Sequence, residues 1–216
     1  MVIKAVLFDM DGTIIDSEDV HTRSLQEVVK ENIGLEIPKE EIEKYIGLSY
    51  TQKLEKIFKE RNVKKDYHKL SKFIRERNVK LSNLVKKIDS TEEVIKMIKE
   101  KFKIALVTAS SKIQAEAMLK SSELKKYFEL IITSDEVENN KPHPDCYLLA
   151  SKKLKVKPKE CVVIEDSVTG VEAAKSAGMF CIAVRNKYNK DKDFSEADLV
   201  VENLKNIDLD MIKKIG

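Results

Sequence analysis

Residues 2–8, Val-Ile-Lys-Ala-Val-Leu-Phe, are apolar apart from Lys4 and stop abruptly at Asp9-Met10-Asp11-Gly12-Thr13. So short an apolar run, carrying Val, Ile and Phe, reads as a strand buried on both faces, which limits the chain to sheets covered on each side. Asp9 and Asp11 are costly neighbours at its end: like charges about 4 Å apart repel by roughly 4 kcal/mol at an effective dielectric of about 20. Gly12 then gives the backbone a sharp exit. Open parallel sheets bind ligands outside the carboxyl ends of their strands, so acids placed there mark a candidate site. The simpler alternative is a polar turn after a core strand.

Further short apolar runs fall at 104–107, 130–133, 161–164 and 180–184, with helical patterns at 90–100 and 168–177. Alternating strands and helices predict an α/β fold, a doubly wound parallel sheet with helices on both faces. Ser90 and Glu93 predict a capping box at one helix start, and Gly178 a helix stop. Residues 9–103 separate the first two runs, far more than one crossover helix needs. Within them Leu25, Val28 and Val29, then Leu54, Ile57 and Phe58, then Leu70, Phe73 and Ile74 fall at helical spacing. Segment 17–86 therefore reads as an inserted α-helical domain, leaving 1–16 and 87–216 as the α/β core.

The chain has 216 residues, enough for such a core and insertion, with 40 basic against 37 acidic side chains and a net charge of +3. Its lysines are interspersed with glutamates, so neither nucleic acid nor a membrane surface is an expected partner. Three distant cysteines, Cys146, Cys161 and Cys181, form no CxxC pair and read as small buried hydrophobes. No signal peptide or membrane span is legible, so a cytoplasmic location is expected, and a monomer.

Asp9-x-Asp11-Gly12-Thr13 after an apolar strand resembles the first signature of the haloacid dehalogenase superfamily of phosphatases and phosphomutases. Three further stretches resemble the remaining signatures in order: 104–107 followed by Thr108, Lys141-Pro142-His143-Pro144, and 162–164 followed by Glu165-Asp166-Ser167. The resemblance covers residues 2 to about 184. It is strongest to the branch with a helical cap, which holds β-phosphoglucomutase and phosphoglycolate phosphatase.

What the resemblance implies is a nucleophile at Asp9 that forms an aspartyl-phosphate, and a proton donor and acceptor at Asp11. Thr108, with the backbone N–H groups of Ala109 and Ser110, would hold the phosphoryl oxygens, and Lys141 would offset their charge. His143 reads as structural. Four carboxylates around a dianion make sense only with a cation, and hard oxygen ligands beside a phosphate point to Mg²⁺. Its expected ligands are Asp9, the Asp11 carbonyl, Asp166 and Glu165, the last directly or through water. In the cap, His21 matches a histidine that faces the mutase active site, while Tyr50 stands where the mutase has a phosphate-gripping arginine. Arg77 or Arg75 is the candidate for a further basic contact. The resulting expectation is a Mg²⁺-dependent phosphatase for a small phosphorylated metabolite, a sugar phosphate or phosphoglycolate-like acid. A β-phosphoglucomutase is the alternative, and a non-enzymatic phospho-accepting module a more distant one.

Overall fold

The computed structural model describes residues 2–215. Its eight strands, counted among the described residues, are β1 (Ala5–Phe8), β2 (Ile15–Asp16), β3 (Lys86–Lys87), β4 (Lys103–Val107), β5 (Ile131–Ile132), β6 (Cys161–Glu165), β7 (Phe180–Val184) and β8 (Leu199–Val201). Six of them form one parallel sheet in the order β5-β4-β1-β6-β7-β8, while β2 and β3 pair antiparallel. The chain forms two compact units, Ser17–Val85 and the remainder.

The inserted unit holds α1 (Glu18–Ile33), α2 (Lys39–Glu43), α3 (Tyr50–Glu60) and α4 (Tyr67–Lys80). Leu25, Val28, Leu54, Ile57, Phe58 and Ile74 make its own apolar core. At the start of α3, Ser49 and Gln52 close a capping box.

The α/β unit adds α5 (Thr91–Lys99), α6 (Lys112–Ser121), α7 (Asp145–Leu154), α8 (Val168–Ser176) and α9 (Leu209–Lys214). β1 lies at the centre and is wholly buried, as an apolar run with no alternation requires. Ala5 and Leu7 face Tyr147 and Ala150 of α7 and Val171 and Ala174 of α8 in one cluster, while Phe8, of opposite parity, meets the Phe128 ring edge-on at 5.9 Å. The three cysteines are buried and free. No helix among the described residues is long and apolar enough to cross a membrane.

Several expectations are corrected. The first strand is shorter than its apolar run, because Val2 is exposed and Lys4 pairs with Glu160 at 2.7 Å. Ser90 forms no capping box: it sits at φ 63°, and its side chain makes no cap hydrogen bond. β8 was not legible, since Leu199 and Val200 lie exposed on a sheet edge. Gly178 does stop α8, at φ 70°.

Candidate active site

β4, β1 and β6 run parallel in register, with Phe8 opposite both Leu106 and Ile164, so their carboxyl ends deliver Asp9, Thr108 and Glu165 to one place. Asp9 is buried, and its N–H donates to the Ile164 carbonyl at 2.9 Å. Lys141 reaches in from the loop before α7 and spends all three ammonium protons there. It donates to Asp9 Oδ1 at 2.6 Å, Glu165 Oε1 at 2.7 Å and the Val107 carbonyl at 3.1 Å. Burial opposes its charge, but Asp9 and Glu165 hold its pKa well above the ordinary lysine value.

Glu165 has no exposed surface and is fully engaged. Oε1 also accepts from the Tyr147 hydroxyl at 3.0 Å, and Oε2 accepts from the N–H groups of Asp166 and Ser167 and the Ser167 hydroxyl, each at 2.9 Å. Burial works to raise its pKa, yet Lys141 and these hydrogen bonds bring it below the ordinary glutamate value. In this geometry Glu165 anchors the lysine, and direct metal ligation would have to exchange bonds already made.

Asp166 Oδ2 accepts from Asn186 Nδ2 at 2.8 Å and Oδ1 from the Thr13 hydroxyl at 3.3 Å, and Asn189 Nδ2 holds its carbonyl at 2.8 Å. Gly12 is obligatory beside it: at φ 84°, a Cβ would lie 2.1 Å from Asp166 Oδ2. Gly170 is required for the same reason, because its Cβ would lie 1.7 Å from Glu165 Oε1.

Asp11 Oδ2 accepts from the Ser110 hydroxyl at 3.1 Å and that of Thr108 at 3.4 Å, while the Ser110 N–H donates to Thr108 Oγ1 at 3.0 Å. Thr108, Ser110 and Asp11 thus come together as expected, although the Ser110 N–H is directed at Thr108. Ala109 is exposed next to them.

Asp9, Glu165 and Asp166 each place a carboxylate oxygen within 4.8 Å of the others. Burial, with Glu165 and Asp11 adding to it against Lys141, lifts the Asp9 pKa to about 7; burial and its acidic neighbours raise Asp166 well above the usual range. One lysine leaves these acids short of positive charge. Buried, crowded oxygen donors with that deficit suit a hard divalent cation, so the residues fit Mg²⁺.

In the helical unit, the Tyr50 hydroxyl lies 2.6 Å from His21 Nδ1 and accepts from Asn78 Nδ2 at 2.7 Å. Arg77 is placed otherwise than expected: it binds Glu27 and, at 2.6 Å, Glu31, joining α4 to α1. Lys53, buried and 5.9 Å from the Tyr50 ring centroid, is the cation beside the His21–Tyr50 pair, and no sequence pattern singled it out. Tyr147 and Asn186 were missed as well. The first reads as a core aromatic of an amphipathic helix, the second as part of a polar loop.

A family model described as haloacid dehalogenase-like hydrolase matches residues 6–184, a span holding every acid of this cluster. The chain belongs to that family. Its enzyme class is phosphoric monoester hydrolase. A phosphorylated carbohydrates phosphatase of Thermotoga maritima is 32% identical over 201 residues, covering 92% of this chain and 93% of its own. Fructose-1-phosphate phosphatase YqaB of Escherichia coli is 33% identical over 188 residues, covering 83% and 95%. The crystal structure of β-phosphoglucomutase from Clostridium difficile superposes with a TM-score of 0.80 at 26% identity, covering 99% of this chain and 97% of its own.

Proposed function

We propose that this hydrolase is a Mg²⁺-dependent phosphatase acting on a small sugar phosphate through an aspartyl-phosphate on Asp9. The observation that carries the reading is the buried Asp9, held by Lys141, on the same loop as Asp11, whose carboxylate accepts from the Thr108 and Ser110 hydroxyls. Asp9 Oδ attacks phosphorus as the bond to the leaving oxygen breaks, and Asp11 gives that oxygen its proton. Asp11 then takes a proton from the water that attacks the aspartyl-phosphate, which releases inorganic phosphate and restores Asp9. Lys141 stays cationic throughout and offsets charge on the phosphoryl oxygens. Asp9, Asp166 and the Asp11 carbonyl would hold the Mg²⁺, which neutralises the incoming dianion when bound. Thr108 and Ser110 turn their hydroxyls to the phosphoryl group once Asp11 engages the leaving oxygen.

The sugar-phosphate class is supported by the named activities of the Thermotoga and Escherichia relatives. From the inserted unit, read here as a cap, His21 and Tyr50 are assigned to substrate recognition; Arg77 is not, because Glu27 and Glu31 hold it. The mutase reading stands second because Tyr50, bonded to His21 and Asn78, supplies no permanent charge for a second phosphate. Phosphate release from a panel of phosphorylated sugars tests the reading. Conversion of β-glucose 1-phosphate to glucose 6-phosphate without free phosphate would replace it with the mutase.

A further inference from the structure

The loop after β7 is fastened more tightly than a polar connection to β8 requires. Arg185 opens it: its N–H donates to the Val201 carbonyl at 2.8 Å, and its guanidinium donates to the carbonyls of Asn189, Lys190 and Lys192. Its Cζ lies 4.9 Å from the Phe194 ring centroid. Beyond Arg185 two asparagines interlock. The Asn186 N–H donates to Asn189 Oδ1 at 2.8 Å, and Asn189 Nδ2 donates to the carbonyls of Asp166 at 2.8 Å and Val184 at 3.0 Å. Asn186 Oδ1 accepts from the Tyr188 N–H at 2.8 Å, which turns its amide nitrogen the other way. That nitrogen spends both protons outside the loop, on the Gly12 carbonyl at 3.1 Å and on Asp166 Oδ2 at 2.8 Å. Turned over, the amide would set its oxygen against two acceptors and its nitrogen against a donor, so its orientation is fixed.

The two Asp166 oxygens are thereby made unequal. Oδ2 is held by Asn186 and crowded by Gly12, where a Cβ would lie 2.1 Å away. Oδ1 has the Thr13 hydroxyl at 3.3 Å, longer than the roughly 2.7–2.8 Å of a well-made O–H···O bond. One oxygen is committed, and the other is loosely held and easily given up. The difference bears on the choice of cation. Mg²⁺ is suited by single carboxylate oxygens in a strict octahedron, whereas Ca²⁺ takes about 6–8 oxygens in flexible geometry and accepts both oxygens of one carboxylate.

We propose that Asn186 is a positioning residue that leaves Asp166 one oxygen to offer and so makes the acid cluster prefer Mg²⁺ to Ca²⁺. Asn189 fixes the main chain of Asp166, and Asn186 fixes its carboxylate. The role rests on the Mg²⁺ reading above and adds to it a side chain that discriminates between cations by acting through Asp166.

The test is calorimetric titration of MgCl₂ and, separately, CaCl₂ into the intact protein, with the ratio of the two affinities as the readout. Asn186→Ala should weaken Mg²⁺ binding about 10-fold or more, the common cost of removing a hydrogen-bond partner from a ligating carboxylate. Ca²⁺ binding should hold or tighten as the second Asp166 oxygen is released, so the preference should narrow at least as much. Arg185→Met loosens the same loop, but its contacts reach no residue of the acid cluster. It should lower the melting temperature and leave the ratio as in the parent. Partial unfolding reduces the fraction titrated and not the ratio, which separates positioning from mere support. Asn186→Ser, too short to reach both acceptors, carries the same expectation should the alanine variant fail to fold. An unchanged ratio in a folded Asn186 variant, or an equal change in Arg185→Met, would overturn the assignment. No Mg²⁺ binding by the parent would overturn the metal reading and this role together, whereas Mg²⁺ binding indifferent to Asn186 would overturn this role alone.

Discussion

Lys141 has three acceptors for three protons, and that count ties the site together: Asp9, Glu165 and the Val107 carbonyl fix the ammonium from three adjacent strands. Asp9 is the member whose loss should be chemical and not structural. Asp9→Asn keeps the shape and removes the nucleophile, so p-nitrophenyl phosphate turnover should fall at least a thousandfold while the circular dichroism spectrum is unchanged. Tyr147 acts at one remove. Its hydroxyl supports Glu165, and hydrogen bonds to charged groups contribute about 1.5–3 kcal/mol, so Tyr147→Phe should lose about that much in urea unfolding. Activity should decline severalfold through kcat, with KM little changed, because Tyr147 is buried away from substrate behind Lys141 and Glu165.

Elements deliver these side chains, and their packing sets tolerances. α8 crosses so close to Glu165 that only a hydrogen atom fits at position 170. Gly170→Ala forces a methyl group against a carboxylate held by five hydrogen bonds, and overpacking of this kind costs about 1–3 kcal/mol. The variant should therefore melt lower and lose most activity. Elsewhere in the unit, Glu92 of α5 accepts from Lys87 of β3 at 2.6 Å and from the Tyr127 hydroxyl at 2.5 Å. The hydrogen bonds from Lys87 and Tyr127 lower its pKa to about 2 from 4.5. A carboxylate with a depressed folded pKa stabilises the native state above pH 4.5 and loses that effect as pH falls toward 2. Acid unfolding of Glu92→Gln should accordingly be shallower than that of the parent across that window, and the two should converge below it.

At the scale of the whole molecule, acids gathered from the ends of separate strands outnumber the one lysine among them, and the proposed function answers that deficit with a divalent cation. Excess chelator should stop turnover and Mg²⁺ restore it, and saturating Mg²⁺ should raise the melting temperature, since a ligand that binds only the folded state stabilises it. Undiminished rates in chelator would remove the metal from the scheme. Much of this was readable beforehand because parallel strands buried on both faces announce themselves: β1, β4, β6 and β7 follow uninterrupted apolar runs whose polar ends are the site. What escaped depends on packing over long separations. Nothing in the sequence places Tyr147 and Lys141 around Glu165, or Glu27 and Glu31 of α1 against Arg77, and Ser90 looks like a cap until its backbone turns left-handed. Two-residue strands such as β2 and β3 leave no periodicity to read.

That small pairing has a consequence of its own. Asp16 and Lys86 are bonded neighbours, so the chain departs into the insertion and returns from it at a single stitch. Seen from the sheet, the 69 intervening residues leave and re-enter at adjacent positions, as the two arms of a hairpin do. Such a seam is where evolution, or an engineer, could exchange one inserted unit for another without breaking the parallel sheet.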